Sequence, residues 1–275
     1  MSRAGEHSLR LGIADGRFYG RFVTGRRADL RVLKHFRNVQ GVRMRIAMWS
    51  GPRNLSTAMM YSFLARGDFT VWDEPFYAPS LAVSGRAHPM DKEIIAAHET
   101  DPEKVARACL APVPTPHFYM KHMPHHMLPG FPMDWAQECV NVHLIRHPAR
   151  VIASYAAKYP EVTLDDIGFE HQVRVFDTLG GVVVDSTDIR ADPEGTLTRL
   201  CDAIGLPFDP MMLSWRSGPR AEDGVWAKHW YGAVHKSTGF AEAEGPLPEL
   251  ENRFAELLEQ AMPHYELLLD AARTQ

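Results

Sequence analysis

Residues Ser50-Gly51-Pro52-Arg53-Asn54-Leu55-Ser56-Thr57 join a polar turn, a guanidinium and hydroxyl groups directly after a short apolar run. A turn of this kind between a buried strand and a helix aims backbone N–H groups and a positive dipole end at one spot, a ready site for an anion. Arg53 adds a cation whose fork suits phosphate, and Ser56 and Thr57 add donors. The same residues would also serve as an ordinary helix start carrying a surface arginine, and the turn alone weighs both readings evenly. It lacks a G-x-x-x-x-G-K-[ST] pattern and any lysine to bridge β- and γ-phosphates, which counts against an Mg-dependent ATP or GTP hydrolase. A second anion element lies in VNVHLIRHPARVIASYAA, residues 140–157. Arg146 ends a strand and Ser154 lies eight residues on, two turns into a helix, so both can converge on one anion. Taken singly, Arg146 could be an ion-pair partner and Ser154 a helix serine bonded to its own backbone.

These groups need elements to hold them. Short apolar runs at Arg45–Trp49, Phe69–Trp72, His117–Lys121, Val140–Ile145 and Val182–Asp185 read as strands. Between them, helices are predicted at Leu55–Arg66, near Asp91–His98, at Pro102–Leu110 with Asp101 as N-cap, from Pro148 to about Lys158, at Leu164–Thr178 and at Glu194–Ala203. A long helical pattern covers Pro248–Ala272, with a kink expected at Pro263. Residues 78–89 read as a loop. Strands alternating with helices imply an α/β fold: a parallel sheet with helices on both faces, three layers in all. Ligands of such sheets gather at the carboxyl ends of the strands, where both anion elements fall.

Taken together, in this order and spacing, the two elements resemble the PAPS-dependent sulfotransferases. In that family a P-[KR]-S-G-T-[TS]-like loop binds the 5′-phosphosulfate of the donor and an R-x7-S pair binds its 3′-phosphate. Here Pro52-Arg53-Asn54-Leu55-Ser56-Thr57 and Arg146…Ser154 stand in those places, with Asn54-Leu55 where the family usually has Ser-Gly. The stretch from Asp185 through Pro193 to Gly205 and Pro207 resembles the family's YEDL…DP…L…LG segment. Gly224-Val-Trp226-Ala-Lys228 resembles its C-terminal stretch over the nucleotide. The resemblance implies a P-loop-type three-layer fold from Met44 onward, PAPS (3′-phosphoadenosine 5′-phosphosulfate) as donor and PAP as product. It also implies residues 50–57, Arg146 and Ser154 as the donor site, with Trp226 stacked on adenine. Residues 73–77 (DEPFY) further resemble a bacterial and plant branch of the family.

Sulfuryl transfer asks for a base to take the acceptor's proton and for cations on the leaving phosphate. Family members acting on hydroxyls carry K-T-H-x-P…L-P after a strand. Registering that pattern on His122-Met-Pro124 and Leu128-Pro129 gives His122 as the base and offsets Lys121 by one residue from the family lysine. The ordinary histidine pKa lies near neutrality, which suits the role. Some carbohydrate-type members use a glutamate near Glu74, the second candidate. His122 ranks slightly first, and Arg53 is assigned to the transferring group. His122 and His126 have metal-ligand spacing, but Pro124 between them argues against one helix holding both, so no metal is expected.

Bulk composition sets the outer limits. With 275 residues, 45% apolar and 23% charged, the chain suits one large α/β domain. Cys109, Cys139 and Cys201 form no CxxC pair and fit thiols in a reducing cytosol. No secretory leader or membrane span is read, so a cytoplasmic location is expected. Residues 1–43 carry +7, and the other 232 residues carry −11. The basic segment is translated sequence ahead of a start at Met44, a basic arm, or a targeting peptide, and the first reading is favoured. The acidic remainder, residues 44–275, gives no support for nucleic acid as a partner. The leading expectation is a small-molecule sulfotransferase acting on a hydroxyl or amine. A P-loop kinase or phosphotransferase and a non-catalytic nucleotide-binding domain of the same fold are the alternatives.

Overall fold

The computed structural model describes residues 43–275. The basic segment read at 1–43 therefore lies outside the described residues, Arg43 excepted. Five strands form one sheet: β1 (Arg45–Ser50), β2 (Phe69–Asp73), β3 (His117–His122), β4 (Val140–Ile145) and β5 (Val182–Asp185). Their order is β2-β3-β1-β4-β5 and every pairing is parallel. β1 sits at the centre because it is apolar on both faces. Ile46 and Met48 enter a core that also holds Val142, Leu144, Val182 and Val184. Ala47 and Trp49 enter the opposite one with Phe118 and Met120. Strands buried on both sides carry continuous apolar runs, which is why all five are readable in the sequence to within a residue at either end.

Helices cover both faces, as expected. α1 (Ser56–Ala65) follows β1, and α2 (Tyr77–Ser84), α3 (Asp91–Ala97) and α4 (Pro102–Cys109) lie between β2 and β3. α5 (Pro148–Ala156), α6 (Leu164–Ile167) and α7 (Phe169–Leu179) connect β4 to β5. α8 (Ser186–Ala191), α9 (Pro193–Ile204), α10 (Ala227–Trp230) and α11 (Ala255–Arg273) complete the chain. Asp101 caps α4 by accepting from the N–H groups of Glu103 and Lys104, as its position suggests.

Three readings need correction. Residues 77–84, all but Tyr77 within the stretch read as a loop, form α2. Pro79 falls in the first turn, where its missing N–H costs nothing, and Tyr77, Ala78 and Leu81 are buried. The helix expected at Leu164–Thr178 is two, broken at Gly168 with φ 71°. Thr163 and Asp166 cap α6 reciprocally. The C-terminal helix begins at Ala255, after a single 3-10 turn at Asn252–Phe254, rather than at Pro248. Pro263 is inside it.

Gly51 shows how closely the layers meet at the end of β1. A Cβ there would lie 2.8 Å from the Ile167 carbonyl oxygen at the end of α6. Gly51→Ala should therefore cost about 1–3 kcal/mol of stability, read as a lower urea midpoint with an unchanged slope. An unchanged midpoint would mean that α6 shifts freely.

Candidate active site

The carboxyl ends of the strands bring the chemistry together. Asp73 ends β2 and is registered against Lys121 of β3. Trp49 of β1 is registered against His122, and Ser50 against Leu144 of β4. A cleft of about 570 Å³ opens over these ends. One half is bounded by Pro52–Ala58, Arg146, Ser154 and Arg190. The other contains Glu74, Tyr77, Leu81, Lys121, His126 and Trp230.

The β1–α1 turn leaves its backbone donors open. Among the described residues, no protein acceptor takes the N–H groups of Arg53 through Thr57, and α1 has no side-chain cap. The first N–H groups of the helix thus point outward with the positive end of its dipole. The turn needs left-handed backbone at two non-glycine positions, Arg53 (φ 64°) and Leu55 (φ 65°). Leu55 stands where the related pattern has glycine, so the chain keeps the conformation at a steric cost of order 1–2 kcal/mol. Asn54 supports it from beneath: it is buried, and its side-chain N–H donates to the Leu144 carbonyl at 3.3 Å.

Ser50 and Gly51 lie below the cradle. The Ser50 hydroxyl donates to the Gly51 carbonyl, and the Gly51 N–H donates to Gln172 Oε1 at 3.2 Å. Neither residue bounds the cleft. Arg146 and Ser154, paired by spacing in the sequence, are linked here through Arg53. Arg53 Nε donates to Ser154 Oγ at 2.9 Å, and Arg146 Nη1 donates to the Arg53 carbonyl at 2.7 Å. Arg146, Arg150 and Arg190 further surround the carboxylate of Glu244.

At the other half of the cleft, period-two alternation along β3 decides which side chain is available. Lys121 and His122 point to opposite faces. The Lys121 ammonium is fully buried and donates to Asp73 Oδ1 (2.9 Å), Glu74 Oε1 (2.5 Å) and the Tyr231 hydroxyl (2.7 Å). The Tyr231 hydroxyl in turn donates to Asp73 Oδ2 at 2.6 Å. Burial pushes the Lys121 pKa down, but the two carboxylates outweigh it and hold the amine charged. Glu74 has left-handed backbone (φ 44°) and is 6% exposed. Burial raises its carboxyl to about 7: Lys121 pulls it down, while Asp73 pushes it further up. A carboxylate buried beside one shared cation is thus poised to take and release a proton near neutral pH.

His122 is not brought to the cleft. Its ring stacks on Trp49 at 4.7 Å and packs on Trp135, its Nε2 is buried without a partner, and burial alone depresses its pKa to about 3. Trp226 is also away from the cleft. It is 1% exposed, its edge meets Tyr77, and its indole N–H donates to Tyr231. Trp230, one helical turn on, faces the cleft instead. Asp73, Arg190 and Glu244 were not read as site residues from the sequence. Arg190 could have been found from its place one turn after the carboxyl end of β5. Glu244 left no local signal. At the outer rim, Arg86 pairs with Asp165 (2.9 Å) and Asp166 across the cleft mouth. Among the described residues, no cluster of metal-ligating side chains occurs and no helix is long and apolar enough to cross a membrane.

Comparison with known proteins gives the family to which this parallel sheet and its flanking helices belong. The family model described as a sulfotransferase domain matches residues 44–272, and the chain belongs to that family. Two curated proteins of Arabidopsis thaliana, branched-chain-amino-acid aminotransferase-like proteins 2 and 1, are each 35% identical over 229 residues. That alignment covers 81% of this chain and 41% of either relative, so the chain spans less than half the length of the curated relatives it matches. Solved sulfotransferase domains resemble it distantly. The domain from the curacin biosynthetic pathway gives a TM-score of 0.48 at 16% identity, covering 79% of this chain and 98% of the other. The domain of the Synechococcus PCC 7002 olefin synthase gives 0.43 at 16%, covering 82% and 96%.

Proposed function

We propose that this sulfotransferase domain moves the sulfuryl group of PAPS to a hydroxyl or amine of a small-molecule acceptor, with Glu74 as the base. The observation that carries the reading is one cleft holding two complementary halves. An anion cradle of free N–H groups and arginines adjoins a buried carboxylate whose pKa lies near neutrality. Arg53 and the turn 52–57 would hold the 5′-phosphosulfate, and Arg146 with Ser154 the 3′-phosphate. An anion at Arg146 is supported by its present partner, since the Glu244 carboxylate already pairs with Arg146 and with Arg190 beside it.

In the reaction, the acceptor oxygen or nitrogen attacks sulfur in line with the phosphate leaving group. The new bond to sulfur forms as the bond from sulfur to the 5′-phosphate oxygen breaks. Glu74 takes the acceptor proton, and the charge left on PAP is met by Arg53 and the N–H groups of the turn. Lys121 keeps Glu74 oriented. It also stops the carboxyl pKa from climbing beyond the range where an ionised base is available. His122 has no part in this scheme, because its ring does not reach the cleft.

The test is calorimetric titration with PAP, alongside ATP with Mg²⁺. PAP should bind, Mg-ATP should bind more weakly, and Arg146→Ala should weaken PAP at least about tenfold. Absence of PAP binding, or preference for Mg-ATP, would overturn the donor assignment.

A further inference from the structure

Residues 239–251 carry no regular secondary structure and run over the surface as a strap. Its upstream end is held where the Trp215 N–H donates to the Thr238 carbonyl, and its downstream end where Leu250 packs against the core beside α11. Phe240 packs against Trp215 at the upstream end, while 241–243 and 245–247 are exposed, Leu247 at 50%. Glu244, between those two exposed stretches, has a side chain only 1% exposed. Its Oε1 accepts from Arg146 Nη2 and from Arg190 Nη1 (2.6 Å), and its Oε2 lies 2.9 Å from Arg150 Nε. The same arginines hold the strap's backbone: Arg190 Nε donates to the Glu242 carbonyl at 2.8 Å, and Arg150 Nη2 donates to the Gly245 carbonyl.

The charges here do not balance. Three guanidinium groups meet one carboxylate, leaving a local excess of two positive charges beside the cleft. Arg146 Nε, moreover, is buried with no partner. Burial pushes the Glu244 carboxyl up, but Arg146 and its two neighbours pull it below the usual carboxylate range, so the group stays ionised. A single carboxylate held by three arginines imitates a bound phosphate with fewer oxygens and less charge. A dianion would meet the same donors better.

We infer that Glu244 is an internal competitor for the nucleotide's 3′-phosphate, seated on the arginines until the phosphate displaces it and lifts the strap. The inference rests on the assignment of Arg146 to the 3′-phosphate. It adds a selectivity device to that site. A nucleotide with a 3′-phosphate exchanges one anion for a stronger one, whereas a nucleotide without it leaves Glu244 in place. It also gives product release a driving force, because the carboxylate can return as PAP departs.

Glu244→Gln tests this by titration with PAP and, separately, with adenosine 5′-phosphate. PAP affinity should rise about tenfold, while adenosine 5′-phosphate should change by less than about twofold. In the wild type, PAP should raise hydrogen exchange across residues 239–247, a readout that does not depend on the variant's folding. Weaker or unchanged PAP binding by Glu244→Gln, or increased protection of the strap on PAP binding, would overturn the inference and make Glu244 a scaffold for the arginines. That result would leave the donor assignment standing. Two folded proteins that both fail to bind PAP would overturn the donor assignment and this inference with it.

Discussion

Glu74→Gln is expected to lower PAP release from PAPS by at least about 10²-fold with any phenol, alcohol or amine that supports turnover, while PAP binding stays within about twofold. Glutamine fills the same space and can still accept from Lys121, so the cleft is preserved, but it cannot take a proton. The wild-type pH profile provides an independent check. Burial lifts the Glu74 carboxyl to about 7, and only the ionised form can act as base. Below that pH the carboxyl is protonated, so kcat/KM should fall as pH drops through about 7 and level off above it. A variant as active as the wild type, or a profile without this limb, would remove Glu74 from the chemistry. His122→Gln serves as the contrast. Its ring lies among Trp49, Phe76 and Trp135, so its loss should be felt in stability more than in the pH limb.

The second large effect concerns stability. Lys121→Met leaves Asp73 and Glu74 buried beside each other without their cation. Breaking a buried charge pair by removing one partner costs about 3–5 kcal/mol, because the remaining charge is neither solvated nor paired. The sign of its pH dependence follows from linkage. Without the ammonium, the Glu74 carboxyl, already raised by burial, is harder still to ionise in the folded state than in the unfolded state. It then holds its proton in the fold at pH values where the unfolded chain has released it, and stability declines as pH rises. Urea unfolding should show a smaller deficit at pH 5 than at pH 8. A deficit below about 1 kcal/mol at both pH values would mean that water reaches and solvates the pair.

What the sequence made legible follows from range. The five strands and their carboxyl-end loops are local facts. Apolar runs such as Ile46–Trp49 and Val140–Ile145 are long enough to read alone, and Arg146 and Ser154 are close enough in the chain for helical spacing to join them. The base depended on parity. Pattern matching on His-x-Pro gave His122, but β3 turns successive side chains to opposite faces, and Lys121 rather than His122 reaches Glu74 at the cleft. Trp226 and Trp230 raised the same question of facing within a short helical turn. α2 was hidden because Pro79 reads as a breaker until its place in the first turn is known. Glu244 was beyond reach, since it meets Arg146 across 98 residues and looks like any other surface glutamate between alanine and glycine.

The tie between Asp73 and the C-terminal segment bears on when the protein becomes competent. Among the described residues, every strand has been synthesised once Asp185 leaves the ribosome, before residues 186–275 emerge. The cleft at that moment lacks Tyr231, whose hydroxyl bridges Lys121 and Asp73, and Gly224, whose N–H reaches Asp73. It also lacks Glu244, the counter-anion of its arginines. Completion of the site thus waits on residues 224–244, which are synthesised well after the last described strand.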